Sequence, residues 1–186
     1  MTWEVVSGFK TIKYSSGTYL TPLTANVTAN TKAPTYTEIS ASISDNVDGF
    51  WLYLVNANTT GLRFLIDIAI GAASSEVDIV QNLHYSQGGS VSTGAHSLFI
   101  PLALPSGTRL SARCQASVGS STIGVVVLAF RSGFGESLPF HRATMYGADT
   151  SDSGGTQVDP GTSANTKGAW AQLSSSIANN AKAVLV

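Results

Sequence analysis

The sequence predicts an all-β fold, an antiparallel β-sandwich of jelly-roll-like form, and three observations support that prediction. Of the 186 residues, 43% are hydrophobic and only 11% are charged, against about 25% charged in a typical soluble domain. Short stretches in which apolar and polar residues alternate recur along the chain, and this is the pattern of half-buried strands. Segments rich in Gly, Pro, Asn and Ser separate them, as turns separate the strands of a sandwich.

The strand pattern is clearest in residues 62–70, LRFLIDIAI. There the even-numbered residues are all large and apolar and share one face, whereas Arg63 and Asp67 lie on the other. Further strands are predicted at residues 37–46, 49–55, 76–85, 96–104, 109–117 and 121–130. Turns are predicted at residues 56–61, 71–75, 88–90 and 105–107. Helix is expected only in short turns.

The large apolar residues at period-two positions form the predicted core. They are Ile39, Ile43, Trp51, Phe64, Ile66, Ile68, Ile100, Val125 and Val127.

A phrase near the start of the chain is repeated near its end. The first phrase, TANTKAPTYTEISASISDN (residues 28–46), contains Ala-Asn-Thr-Lys, and so does the second phrase, TSANTKGAWAQLSSSIAN (residues 162–179). After a one-residue slip the large apolar positions also correspond, and residues 17–22 are echoed by 155–160. We interpret this as a duplicated unit, in which the phrase begins each sandwich.

The repeat predicts four parts of the chain. Residues 1–27 form an N-terminal attachment segment with strand-like patches at 3–6 and 19–20, and residues 28–131 form the sandwich. Residues 132–162 form a turn-rich connector, most flexible at 149–155. Residues 163–186 begin a second, truncated sandwich, so we expect the natural polypeptide to be longer than this one.

Two stretches carry a resemblance to known proteins: FLIDIAIGAASSEVDIVQNL (residues 64–83) and FIPLALPSGTRLSARCQAS (residues 99–117). They resemble a family of uncharacterised virion proteins of tailed phages and prophages, with the resemblance covering about residues 28–131. The resemblance implies a β-sandwich structural component of the particle, such as a fibre or decoration subunit of the head, neck or tail. It implies no catalytic residues.

Charge and cysteine content exclude some partners and compartments. The formal net charge is −1, and the ten Lys and Arg residues are scattered, so the electrostatic footprint of a nucleic-acid-binding protein is missing. The single cysteine, Cys114, has no partner for an internal disulfide. The sequence has no apolar run long enough to span a membrane and no signal-peptide pattern at its start. We therefore predict synthesis in a host cytoplasm, no nucleic acid partner and no membrane.

No motif in the sequence predicts a metal site, a catalytic nucleophile or a cofactor. Asp45 and Asp48 lie in a glycine-containing turn without the ligand pattern of a calcium loop, and the second phrase has Asn179 and Asn180 there. His84, His96 and His141 are isolated in sequence, and Cys114 lies inside a predicted strand. No Ser lies in a Gly-x-Ser-x-Gly elbow.

Several charged residues leave alternatives open. Glu38, Asp67, Glu76 and Asp78 are possible glycosidase carboxylates, although surface charges are the favoured interpretation. Arg109 and Arg113 share one face of a strand and are suited to joining subunits or binding an acidic ligand, but a solvated face is favoured.

Aromatic residues support a competing function. Carbohydrate-binding sites stack rings on sugars, and the candidate rings are Trp51, Tyr53, Tyr85, Tyr146 and the repeated Tyr36/Trp170 position. These rings lie among apolar neighbours, so core packing is the favoured interpretation.

The function expected from the sequence is a non-enzymatic virion building block. It is expected to work as a homo-oligomer, with a trimer favoured, and to contact other virion proteins. The alternative is a module that binds carbohydrate or a host receptor, including a host surface glycan. Residues 1–27 are expected to dock on a neighbour by strand addition or apolar burial.

Overall fold

A computed structural model of the chain describes residues 9–11, 21–55, 61–86, 95–130, 142–151 and 155–177. These residues contain ten strands and, within the described ranges, no helix. The strands are β1 (Phe9–Thr11), β2 (Thr21–Thr24), β3 (Thr37–Ser40), β4 (Gly49–Val55), β5 (Arg63–Ile70), β6 (Val77–Ser86), β7 (Ala95–Ile100), β8 (Leu110–Ala116), β9 (Thr122–Phe130) and β10 (Ala143–Thr144).

The strands form two five-stranded sheets that enclose one core. The first sheet has the order β2-β9-β4-β7, and β1 pairs with the end of β9 that β2 leaves free. The second sheet has the order β10-β6-β5-β8-β3. Strands β2 to β9 thus supply four strands to each sheet, in the orders 2-9-4-7 and 3-8-5-6, which is the arrangement of a jelly roll. All pairs are antiparallel except β10 with β6, so the predicted antiparallel sandwich is confirmed.

The core takes alternate residues from both sheets, as period-two strands require. All the predicted core residues except Trp51 are buried there, and each has at most 3% of its surface exposed. They are Ile39, Ile43, Phe64, Ile66, Ile68, Ile100, Val125 and Val127.

The prediction that Trp51 belongs to the core is wrong. Its neighbours in β4, Phe50 and Leu52, are fully buried and belong to the core cluster, so alternation turns Trp51 to the outer face of the first sheet. The stretch GFWLYLV is apolar at both odd and even positions. A strand of that kind has two equally apolar phases, and only packing against the rest of the fold selects one.

The sandwich extends beyond residues 28–131 on both sides. β2 lies in the predicted attachment segment, yet it pairs with β9 and buries Leu23 in the core. β10 lies in the predicted connector, yet it pairs with β6. The strand-like patches at residues 3–6 and 19–20 lie outside the described residues.

The turns predicted at 71–75 and 105–107 are confirmed. Gly71 has a φ of 108°, and a Cβ there would come within 2.9 Å of the Ser75 carbonyl oxygen. Gly107 has a φ of 82°, which is also a conformation that favours glycine. The turn at 88–90 and most of the turn at 56–61 lie outside the described residues.

The two phrases share a local turn although only the first belongs to a sheet. Asn30 and Asn165 both adopt the left-handed conformation, with φ of 57° and 62°. No strand of the described chain lies within residues 155–177. That the second phrase begins a second sandwich stays a prediction.

Candidate functional site

The outer face of the first sheet is apolar. Its outward side chains in β4, β7 and β9 include Trp51, Tyr53, Val55, Phe99, Val126 and Leu128, which we call the apolar face. All of them are half-buried, and the described residues that point outward from these strands include no charged side chain.

The register of the strands makes this face continuous. Trp51 lies opposite Phe99 on one side and Leu128 on the other. The Trp51 and Phe99 rings are tilted, with centroids 5.3 Å apart, which is within the favourable range for aromatic pairs. Tyr53 lies opposite Val126, the next pair on the same face. The result is a continuous, partly buried apolar surface.

The aromatic residues predicted as candidate sugar platforms lie in different parts of the molecule. Tyr146 lines a cleft beside His84, and Trp170 is 103% exposed, so the interpretation of Trp170 as a core residue is wrong. Trp51 and Tyr53 meet on the apolar face, contrary to the favoured interpretation that both are core residues. Tyr85 is fully buried in the core, where it packs against Phe64 with ring centroids 6.2 Å apart. Tyr36 lies over the outer face of the second sheet, in the cluster described next.

The outer face of the second sheet carries an ionic cluster around Asp67. This carboxylate is 3% exposed. Lys32 Nζ lies 2.6 Å from its Oδ1, and Arg113 Nε lies 3.0 Å from its Oδ2. The cluster thus joins β5 to β8 and to the loop before β3. The interpretation of Asp67 as a solvated surface charge is wrong.

A bulge in β6 gives Asp67 a third partner. Ile66 pairs with Leu83 and Ile68 with Val80, so two residues of β6 lie opposite Asp67 alone. Asn82, with a φ of 58°, is one of them, and its backbone N–H donates to Asp67 Oδ1 over 2.9 Å. The buried carboxylate satisfies a backbone donor that the irregular ladder leaves without a strand partner.

Arg113 connects Asp67 to a second pair. Its Nη2 lies 3.3 Å from an oxygen of Asp78, and its guanidinium lies 4.6 Å from the centre of the Tyr36 ring. The Tyr36 hydroxyl donates to Asp78 over 2.6 Å. Burial and this hydrogen bond raise the pKa of Tyr36. Burial lowers the pKa of Lys32, although Asp67 acts in the opposite direction.

Arg109 forms a neighbouring pair of contacts on the same face. It lies 2.9 Å from Glu38 and 3.0 Å from Glu76, and it also donates to the carbonyl of Gly71. Arg109 and Arg113 do share one face, as predicted, but both bind carboxylates of their own chain rather than forming an open anion site. The ionic cluster and the Arg109 contacts together connect β3, β5, β6 and β8.

The other candidate residues do not converge on one site. His84 lines an open cleft of about 300 Å³ beside Met145 and Tyr146, and burial, with Arg63 and His96, lowers its pKa. Its buried Nε2 makes no hydrogen bond within the described part of the chain. Cys114 is fully buried, and burial raises the pKa of its thiol to about 12, which keeps it protonated and unreactive. His141 lies outside the described residues.

The described ranges contain neither a metal-binding cluster nor a membrane-spanning helix. No three His, Cys, Asp or Glu side chains there come together to hold a metal ion. No helix in those ranges has the length and apolar character needed to cross a membrane.

Together, the fold and its surfaces define a jelly-roll sandwich with one apolar outer face and one ionic outer face. No protein-family model and no curated protein matches the chain. Among solved structures, CBM35 from Paenibacillus barcinonensis is similar, at 17% identity and a TM-score of 0.33, over 67% of this chain and 98% of that chain. Chains of infectious bursal disease virus are similar at 12% identity. The Gx strain has a TM-score of 0.30 over 72% of this chain and 32% of that chain; the Gt strain has 0.28 over 71% and 32%.

Proposed function

We propose that this chain is a non-enzymatic building block of a bacteriophage virion, a fibre or decoration subunit of the head, neck or tail. It works as a homo-oligomer, with a trimer favoured, and other virion proteins are its neighbours. The observation that supports this proposal most directly is the apolar face, because it offers a ready surface for association.

The apolar face is suited to contact with a like surface. It contains the Trp51–Phe99 pair and no charged side chain among its described residues, so two such faces meet without burying an unpaired charge. Only 11% of the chain is charged, which leaves little to keep a separate subunit soluble. Symmetric association buries such a patch in every subunit at once.

The residues that carry the resemblance to phage proteins stabilise the fold. In the first stretch, Asp67 is the centre of the ionic cluster and Gly71 forms a turn. In the second, Gly107 forms a turn, and Arg109 and Arg113 bind carboxylates of their own chain. Residues that stabilise a sandwich and leave its charges neutralised are what a structural subunit requires.

The test measures self-association. We expect the parent protein to sediment as an oligomer, and Trp51→Glu and Phe99→Glu to shift it to the monomer while its thermal unfolding stays cooperative. These side chains are only half-buried in the separate subunit but would be fully buried in an oligomer. A charge introduced there should therefore weaken association far more than folding.

Val77→Glu is the matched control, because Val77 is 56% exposed on the other sheet. A parent that sediments as a monomer, or a control that dissociates as fully as Trp51→Glu, would contradict the role of the apolar face. Mass spectrometry of purified particles tests the virion assignment separately.

A second candidate function is binding of carbohydrate on a host surface. The observation that favours it is the position of Trp51, Tyr53 and Phe99 side by side on an outer face, where ring faces can stack on sugars. We expect selective binding on a glycan array, lost in Trp51→Ala with cooperative unfolding retained. Binding that survives Trp51→Ala, or no binding to any glycan, rules this function out.

A further inference from the structure

The second phrase exposes apolar residues that the first phrase buries. Trp170, Leu173 and Ile177 are 103, 54 and 58% exposed. Ile39 and Ile43, which correspond to Leu173 and Ile177, are 2 and 3% exposed. Corresponding positions are therefore core residues in the first phrase and exposed to solvent in the second.

In the sandwich, the first phrase lies along β8 at the edge of the second sheet and contains the edge strand β3. The backbone N–H groups of Asn30, Ala33 and Ile43 donate to carbonyls of β8 and the residues just before it, over 2.8 to 2.9 Å. Between them, β3 pairs with β8 directly. The buried isoleucines, together with these hydrogen bonds, fix the phrase on the sheet.

The second phrase keeps the local shape of the first without a sheet beside it. Besides the matching Asn turns, Ser40 Oγ donates to the carbonyl of Ser42 over 3.1 Å, and Ser174 Oγ donates to that of Ser176 over 2.6 Å. Within the described residues, no backbone hydrogen bond connects residues 167–177 to a strand. A segment already held in its docked shape loses less conformational entropy when it binds.

We propose that residues 163–177 become an edge strand by docking on a second sandwich of this same kind, one whose β8 edge is not covered by a β3 of its own. The β8 edge of the sandwich described above is occupied by its own β3, so the docking is to another sandwich. Main-chain hydrogen bonds to the edge strand supply affinity, as in other cases of strand addition.

Four side chains of the second phrase suit the contacts that the first phrase makes. Lys167 corresponds to Lys32, which binds a buried aspartate. Trp170 corresponds to Tyr36, which lies under an arginine, and tryptophan is the best ring for that contact. Leu173 corresponds to Ile39 and has the same number of side-chain atoms, and Ile177 corresponds to Ile43 and is the same residue.

The first experiment tests whether the second phrase fits this edge. In the full chain, Tyr36→Trp, Thr37→Ala, Glu38→Gln, Ile39→Leu and Ala41→Ser convert residues 36–43 of the first phrase to residues 170–177 of the second. Ile39→Leu conserves volume, Tyr36→Trp keeps a ring under Arg113, and the other three positions are exposed, so we expect cooperative unfolding with a Tm within about 5 °C of the parent. The same variant with Ile39→Asp in place of Ile39→Leu is the control and should not fold cooperatively. Failure of the Ile39→Leu version to unfold cooperatively overturns the proposal.

The second experiment traps the docked strand between two full chains. Glu38 pairs with Ser111, and Gln172 corresponds to Glu38, so Gln172→Cys in a donor chain should form a disulfide with Ser111→Cys in an acceptor. The acceptor also carries Ile39→Ala to loosen its own β3 and Leu173→Asp to disable its own second phrase. We expect a disulfide-linked heterodimer on mild oxidation.

The donor control is Gln172→Cys with Leu173→Asp, and it should yield about tenfold less heterodimer, since the loss of one buried leucine costs at least that much affinity. Equal yields, or no heterodimer from either donor, overturn the proposal. All chains carry Trp51→Glu as well, so that the result is independent of association through the apolar face.

Discussion

Replacing Asp67 with asparagine is expected to lower the free energy of unfolding by about 3 to 5 kcal/mol, as removal of one member of a buried ionic group generally does. The change leaves two cations, Lys32 and Arg113, without their shared anion, although their side chains are only 22 and 26% exposed. It also replaces the carboxylate that accepts the hydrogen bond from the Asn82 backbone N–H with a neutral side-chain amide. Urea denaturation followed by circular dichroism measures the effect.

Glu38→Gln is the matched control for this prediction. Glu38 also binds an arginine, but its side chain is 49% exposed, so its loss should cost at most about 1 kcal/mol. If Asp67→Asn costs no more than Glu38→Gln, the ionic cluster does not stabilise the sandwich as the geometry indicates.

Phe50→Ala is expected to lower the free energy of unfolding by about 3 to 5 kcal/mol, the usual cost of emptying a buried phenylalanine site. Phe50 is fully buried in the core between the two sheets. The adjacent Trp51 is larger but half-buried on the apolar face, so Trp51→Ala should cost less than about 2 kcal/mol. Thermal and urea unfolding of the two variants compare them directly.

The two substitutions also separate stability from association. Trp51→Ala should weaken self-association while the subunit remains folded, and Phe50→Ala should weaken folding first. A larger loss of stability from Trp51→Ala than from Phe50→Ala would reverse the assignment of the two faces of β4.

Strand positions were predictable because they depend on neighbours in sequence. In β5 the alternation of large apolar residues predicted the inner face correctly. Phe64, Ile66 and Ile68 lie in the core, and Ile70 packs against it while only partly buried. The turn at Gly107 was equally local. The strand predicted at 96–104 is shorter in the structure and ends at Ile100, just before Pro101, which has no N–H for a ladder.

The ionic cluster was not predictable because its contacts join distant parts of the chain. Asp67 is 35 residues from Lys32 and 46 from Arg113. Each of these residues taken alone resembles an ordinary surface charge. Only the order of strands in the second sheet and the bulge at Asn82 bring them together around one buried carboxylate.

By itself, then, the sequence determined the all-β class, most strand positions and the residues available for the core, because period-two alternation and turn chemistry act over a few residues. The tertiary structure decided which face of β4 is the outside, because GFWLYLV is apolar in both phases and only the packing of Phe50 and Leu52 into the core selects one of them. It also decided which phrase is buried. Corresponding positions of the two similar phrases lie in the core at Ile39 and in solvent at Leu173, since burial depends on the presence of a partner strand.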